Sequence, residues 1–533
     1  MSGYTPAVPA LSARLALRSL AVFLVAFLGL CALAGTERLS KPSTDNHYSH
    51  LAQSWLDGRL DHGGKPKGWC TPELRRAKKC KRHTYDDWAR VWTLGLHDGT
   101  SVRGYPCKTS ACLDLRRRGV EGWLILGQER TLREFERGEI VSRTETWYVS
   151  FPPGPALIML PAVALLGPER TPDVLITCLL AALIPLVMLR LYERERPART
   201  SGESGAHLWA VAAWTFASPA AFLGANGRVW FTAQVAGALC LAIYVSMGWR
   251  CHRPTLAGLA LALAVSCRPH MAVAVLFFFA EWWRESKLDP AKRWSIALRF
   301  AAPLLVVGAL LMAHNWVRFE DPFEFGHRFL EIRWQQRMQE IGMFSTTYLG
   351  RNLQCALALL PVWDHGPGPW PGALIGQGPS AAWIPRVSVH GSSILFGAPW
   401  LLLLGAARRG FPQRWGLIFS AVAVALPSLL YQNSGQLQFS YRFAVDWLPL
   451  LLPVLVFGGG TDGGRTSEAV EDTEAGTSLR RRAANWRRWL FPALVLAGMA
   501  WQLHGAWWFG RQPGQLFVTD PRSWPFEAEL EGP

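Results

Sequence analysis

Acidic side chains are scarce in this chain of 533 residues: 39 Asp and Glu stand against 55 Lys and Arg, for a formal net charge of +16. In a water-soluble protein that surplus would point to nucleic acid. Here the Lys and Arg sit mainly in short loops between apolar runs, where they report topology and attraction to anionic headgroups, so nucleic acid is not expected as a partner. No internal repeat is visible, which argues against the duplicated halves of many secondary transporters. The ten cysteines include no C-x-x-C spacing, so a zinc site drawing on His83 or His97 has little in its favour. Long polar stretches are missing as well, apart from 36–150 and 316–390.

What fills the chain is apolar. Half of the residues are hydrophobic, with 27 Trp and 26 Phe, and runs of about 17 to 25 apolar residues are long enough to cross a hydrocarbon core of about 30 Å. The expectation is an all-α polytopic membrane protein of about twelve or thirteen transmembrane helices. The first run, 14–35, has about 20 apolar residues, too many for the usual h-region of a signal peptide, and reads as an uncleaved helix. The other segments are 173–191, 207–223, 229–248, 255–267, 270–283, 296–315, 391–407, 415–431, 442–458 and 489–505. Basic loops at 190–199, 249–253, 284–299, 408–414 and 480–488 belong inside. That leaves 36–150, 316–390, 432–441 and the C-terminal tail outside, with 156–167 interfacial or re-entrant. A membrane domain over 1–458 is then followed by a flexible cytoplasmic linker, 459–488, and by a last helix with its outer tail, 489–533. Cys70, Cys80, Cys107 and Cys112 fall in the first outer loop. An even count there favours disulfides, and 70 with 80 and 107 with 112 is the simplest of three connectivities.

Few ionisable residues interrupt this pattern, and each has a plain reading beside a functional one. Asp45, in Ser43-Thr44-Asp45-Asn46-His47-Tyr48, lies just past the first helix at the lipid-water boundary; it is also a good N-cap for the amphipathic stretch after it. The run 65–82 carries eight basic residues and one acid, Glu73, and is either a solvated face or a rim that attracts lipid phosphate. Asp86-Asp87 is read as structural. Arg268 and His270 interrupt apolar sequence, where an ionisable group defaults to a site hypothesis, although the turn of a helical hairpin accounts for them equally well. Arg318, Glu324 and His327 follow a membrane helix in a stretch that otherwise looks interfacial. Gln438, Tyr441, Arg442 and Asp446 crowd one short outer loop, a density that suits sugar hydroxyls or a phosphate.

Five pieces of the chain, taken in order, carry a family likeness: Asp45 with Tyr48, Ala52, Leu56 and Gly58; 148–155, Tyr-Val-Ser-Phe-Pro-Pro-Gly-Pro; Arg268-Pro269; Asn315 with Arg318-Phe319 and 322–326; and 438–446. In that order they resemble bacterial integral-membrane glycosyltransferases of the GT-C superfamily, the class related to protein O-mannosyltransferases and lipid-A aminoarabinose transferases. The resemblance covers about residues 14–458. It implies a GT-C-like bundle with a large first extracytoplasmic loop, set in the cytoplasmic (inner) membrane among its lipids. The donor would be a polyprenyl-phosphate sugar and the acceptor an extracytoplasmic lipid, glycan or protein. By the same resemblance Asp45 is the general base, and Tyr48, Arg268, Arg318, Glu324, His327, Gln438, Tyr441 and Arg442 bind substrate, with no cofactor. The sequence departs from the pattern at one point. Many of these enzymes carry a second acid close to the first, whereas Asn46 and His47 follow Asp45, which favours metal-independent chemistry. A transporter or flippase for lipid-linked sugars, and a noncatalytic envelope protein of the same fold, are the alternatives.

Overall fold

Proline and glycine placement divides the apolar sequence into long helices and short broken ones, and the breaks create the site. The computed structural model describes residues 9–66, 87–127, 131–198, 200–330, 332, 334–367, 381–407, 410–435, 437–459, 474–509, 511 and 516–518. The basic run from residue 67 onward, Cys70, Cys80, His83, Asp86 and the tail 519–533 lie outside the described residues, as does 460–473 of the expected linker. From Glu474 the chain is helical, in Glu474–Trp508.

Among the described residues, four helices are long and apolar enough to cross a membrane: Ala13–Ala34, Asp173–Glu195, Val229–Cys251 and Pro290–Phe319. Only 11% of the most apolar window of Pro290–Phe319 is buried in protein, against 83% for Val229–Cys251. The first therefore presents Leu298, Leu305, Val306 and Leu310 outward, a surface that only lipid can solvate, and the second forms the centre of the bundle. Shorter apolar helices are Gly154–Leu166, Pro254–Cys267, Arg414–Leu430 and Leu448–Phe457. Gly154–Leu166, at about 1.5 Å per residue, reaches about 20 Å and is shorter than the hydrocarbon core.

Several segments expected to be continuous are cut. Pro219 starts a new short helix, Pro219–Gly224, after Ser201–Phe216, and Pro399 opens a 3-10 turn, Pro399–Ala406, after Ile394–Gly397. Pro254–Cys267 stops at Arg268, which Pro269 holds extended (φ −145°, ψ 94°) before the 3-10 turn Pro269–Ala274 and the helix Val275–Leu288. In the same way 442–458 is a 3-10 turn, Arg442–Asp446, leading into Leu448–Phe457.

The first outer loop corrects the all-α expectation. It folds as a five-stranded antiparallel sheet in the order β4-β3-β2-β1-β5, with β1 Trp88–Leu96, β2 Ser101–Pro106, β3 Glu121–Ile125, β4 Leu132–Phe135 and β5 Ile140–Val149. Its hairpin β1–β2 turns at Asp98-Gly99, where Asp98 accepts from the Thr100 amide at 2.9 Å and Gly99 takes a positive φ of 81°. One apolar cluster of the sheet holds Leu94, Leu96, Trp123, Ile125 and Phe135. A second, with Ala89, Val91, Tyr105 and Tyr148, packs on Phe319 and Phe329 and joins the sheet to the second outer stretch. Arg103 ties the same junction, donating to the Arg318 carbonyl at 2.7 Å and pairing with Glu320 at 2.8 Å. Beside β3 the helix Ser110–Arg117 is capped by Thr109 and closed by a Cys107–Cys112 disulfide, one of the two local pairs expected.

Candidate functional site

The two helix breaks face one another. Asp446, with 0% of its surface exposed, accepts through a single oxygen from Arg268 Nη2 at 2.7 Å and lies 3.1 Å from His270 Nε2. The carboxylate thus joins the Arg268-Pro269 interruption to the 3-10 turn Arg442–Asp446. Close packing holds the first of these in place. A Cβ on Gly154 would lie 2.3 Å from Ser266 Oγ and 2.8 Å from Cys267 Sγ, so a larger residue would push Gly154–Leu166 away from Arg268.

Arg442 is the unusual member. Only 7% of its surface is exposed, yet among the described residues its guanidinium has no hydrogen-bond acceptor and no carboxylate partner. It meets rings instead: Phe443 at 5.3 Å, Phe231 at 5.7 Å and Trp230 at 5.9 Å. Arg268 lies over the same Phe443 ring at 5.7 Å, so two guanidiniums share one aromatic ring. Around them Asp446 Oδ1, Arg268 Nε, Arg442 Nε, Gln234 Oε1 and the Tyr48 hydroxyl are buried without a hydrogen-bond partner among the described residues. Buried polar atoms are rarely left so, and a cluster of them in a membrane domain marks a pocket built for a polar guest.

Three more groups border this pocket. His327, packed edge-on against Phe151 at 5.3 Å, is held down to about pKa 4 by burial and then by the charge of Arg268, partly offset by a hydrogen bond to the Ser150 backbone. Burial raises the Tyr48 phenol well above its ordinary range, with Cys267, Arg268 and Asp87 adding smaller effects. Asp87, read from the sequence as structural, acts electrostatically on Tyr48, Tyr431 and Arg442. Its backbone sits at a positive φ of 71°, with its carbonyl accepting from Ser150 Oγ at 2.7 Å. Non-glycine residues in that region are uncommon and cluster at functional sites.

Asp45 stands one step away. It does not cap the helix His47–Leu56: the N-cap is Asn46, with no side-chain bond. Its carboxylate accepts from Thr44 Oγ1 at 2.9 Å and lies 3.6 Å from Arg228 Nε, while its carbonyl accepts from the Val229 amide at 3.1 Å. The next residues on that helix, Trp230 and Phe231, carry Arg442, so a ridge of rings lies between the Asp45 pair and the pocket.

Other sequence candidates serve as braces. Arg318 is fully buried, with Nη1 on the Val149 carbonyl at 3.0 Å and Nη2 on Asn315 Oδ1 at 3.1 Å. Glu324 accepts from the Gly326 amide at 2.6 Å and pairs with Arg328 at 3.2 Å. Gln438 donates to the His390 and Ser434 carbonyls and accepts from the Arg442 amide at 3.0 Å, fixing the turn that presents Arg442. Tyr441 is buried edge-on against Phe443 at 5.8 Å. In the sequence Asp446 stands within the polar cluster of 438–446 without a role of its own, Asp87 reads as structural, and Tyr431 is not singled out. The density of polar residues in 433–446 was the available signal for the first, and no sequence signal links Asp87 to Arg442.

Fold and site define a class: a polytopic membrane protein with buried arginines gathered at two helix breaks and a five-stranded sheet inserted after its first helices. No family model matches the chain, and no curated protein matches it in sequence. Among solved structures it is similar to the crystal structure of ArnT from Cupriavidus metallidurans bound to undecaprenyl phosphate. The identity is 12%, the match covers 94% of this chain and 76% of that one, and the TM-score is 0.37. A likeness of that degree carries no argument about the residues or chemistry of this chain.

Proposed function

We propose that the protein is a multi-pass glycosyltransferase of the cytoplasmic membrane that moves a sugar from a polyprenyl-phosphate donor to an extracytoplasmic acceptor, with the lipid phosphate lodged between Arg268 and Arg442. The observation that carries the reading is Arg442, a buried guanidinium with no hydrogen-bond acceptor among the described residues, over the same ring as a second arginine that Asp446 holds in place. Two such cations repel unless an anion joins them, and a phosphate accepts from both. The ordered sequence resemblance supplies the reaction class. An acceptor hydroxyl oxygen bonds to the anomeric carbon as the bond from that carbon to the phosphate oxygen breaks. The bonding pair leaves on the phosphate, where the arginines stabilise it, and Asp45 takes the hydroxyl proton. One displacement inverts the anomeric centre, with oxocarbenium character at the sugar carbon.

A second assignment of the base is favoured by one observation. The charge of Asp87 reaches Tyr48 and Arg442, whereas the rings of Trp230 and Phe231 lie between Asp45 and Arg442. Membranes containing Asp45→Asn or Asp87→Asn, supplied with polyprenyl-phosphate sugars and compared by mass spectrometry of envelope glycans and lipids, decide between them. Full transfer by Asp45→Asn removes Asp45 from the base role, and loss of transfer in Asp87→Asn alone moves that role to Asp87. Sugar uptake or flipping without any transfer by the intact protein would sink the enzyme reading.

A further inference from the structure

Among the described residues the charges around Asp45 do not balance. Arg228 Nε lies 3.6 Å from its carboxylate, and the guanidinium lies over the Phe509 ring at 5.6 Å; among the described residues it has no hydrogen-bond acceptor. Arg38 and Arg511 stand beside it. Arg38 donates to Asn226 Oδ1 at 2.9 Å and to the Phe509 carbonyl at 2.5 Å, and Arg511 donates to the carbonyls of Leu33 and Ala34, both at 2.9 Å. Capping of helix C-termini explains those two arginines. It does not explain Arg228, the N-cap residue of Val229–Gly248, whose side chain makes no capping bond.

Compensation by acids is thin. Burial, followed by the positive charges of Arg511 and Arg228, pulls the Arg38 pKa down to about 10, with Glu37 opposing weakly. Glu37 is itself exposed and lies 3.9 Å from Lys41. Asp173, the other nearby acid, is occupied by the amide and hydroxyl of Ser43 at 2.7 Å and 2.5 Å. Among the described residues, three neighbouring guanidiniums therefore meet two acids, Asp45 beside Arg228 and an exposed Glu37 near Arg38 and Arg511. They sit at the ends of the helices Pro9–Ala34, Val229–Gly248 and Glu474–Trp508, the level at which an apolar bundle meets headgroups. Phe231 and Phe509, with centroids 5.8 Å apart, screen this cluster from Arg442.

We infer that Arg228, with Arg38 and Arg511 behind it, forms a second anion site that takes the phosphate of a membrane-lipid headgroup. The planar fork of Arg228 suits a phosphate bidentately, and an anion there relieves the repulsion felt by Arg38. The site is tested by binding, whatever part Asp45 plays in sugar transfer. The full-length protein is delipidated and placed in phosphatidylcholine nanodiscs with increasing phosphatidylglycerol, and bound lipid is counted by native mass spectrometry. Arg228→Gln, which breaks no hydrogen bond, is expected to weaken phosphatidylglycerol retention about tenfold, with partial rescue in Arg228→Lys. Asp45→Asn is expected to strengthen retention, because it removes the carboxylate that competes for Arg228; it does so whether or not Asp45 is a catalytic base. Unchanged retention in Arg228→Gln, or weaker retention in Asp45→Asn, overturns the site. Inorganic phosphate that protects the protein at the same residue while phosphatidylglycerol does not bind overturns the headgroup assignment.

Discussion

Replacing Arg442 by Met separates a ligand-binding arginine from a structural one, because the two predict opposite effects on stability. The substitution keeps an unbranched side chain against Trp230, Phe231 and Phe443 and removes the charge. In the ligand-free protein that charge has no acceptor or carboxylate among the described residues and keeps 7% of its surface exposed, a desolvation cost of several kcal/mol offset by ring contacts worth about 0.5 to 2 kcal/mol. The ligand-free variant should therefore be no less stable than the parent. Its response to ligand should fall. At a hundred times Kd, a polyprenyl phosphate stabilises the parent by about 2.7 kcal/mol. Losing one charge-assisted contact of about 2 kcal/mol weakens binding about thirtyfold, which leaves about 0.9 kcal/mol of stabilisation at the same ligand concentration. The assay is thermal unfolding of the purified protein with and without polyprenyl phosphate. A ligand-induced shift of undiminished size in Arg442→Met, or a ligand-free protein destabilised by about 3 kcal/mol or more, would refute the reasoning.

Arg318→Met is the contrast. It leaves the Val149 carbonyl and Asn315 without their donor and should lower stability by about 2 kcal/mol while the lipid-phosphate shift keeps its size, both read in the same thermal scans. His327 gives the protein a pH dependence of fixed sign. Its pKa is about 4 in the folded protein against an ordinary 6.5, so between those values the unfolded chain binds the extra proton. Stability is then full above about pH 6.5, falls as the pH drops toward 4, and levels off below, with a loss of about 2 kcal/mol after discounting for partial solvent access. His327→Gln should flatten that part of the profile of unfolding temperature against pH.

What the sequence reveals follows from the range over which each signal acts. Helices such as Asp173–Glu195 and Val229–Gly248 were legible because lipid imposes an unbroken apolar run of about 20 residues. The Arg268-Pro269 break was legible because proline acts on its immediate neighbour, and the Cys107–Cys112 bridge because its partners are five residues apart. The sheet was not. Strand β5 shows water most of its length, exposed from Val141 to Thr144 and buried only toward Val149, so its sequence, Ile-Val-Ser-Arg-Thr-Glu-Thr-Trp-Tyr-Val, carries no clean alternation over a polar loop. The pairing of Asp446 with Arg268 and His270 joins residues 178 and 176 positions apart, which no local pattern encodes. Arg318 shows the reverse failure. An arginine at the end of a membrane helix looks functional in the sequence, and only its two acceptors reveal a brace.

The second anion site changes what Asp45 can do. Arg228 is the cation that Asp45 faces, with Nε 3.6 Å from the carboxylate. A phosphate bound to Arg228 competes for the same guanidinium and releases the Asp45 carboxylate from its ion pair, leaving it free to meet an acceptor hydroxyl. Under this proposal headgroup binding and the freedom of Asp45 are coupled, and the coupling has a sign: anionic lipid should speed transfer through Asp45. The dependence should vanish in Arg228→Gln, where Asp45 has no guanidinium partner to lose. If Asp87 is the base instead, transfer rates should be indifferent to the headgroup in the parent and in the variant alike, since Phe231 and Phe509 stand between Arg228 and the Arg442 pocket on which the charge of Asp87 acts.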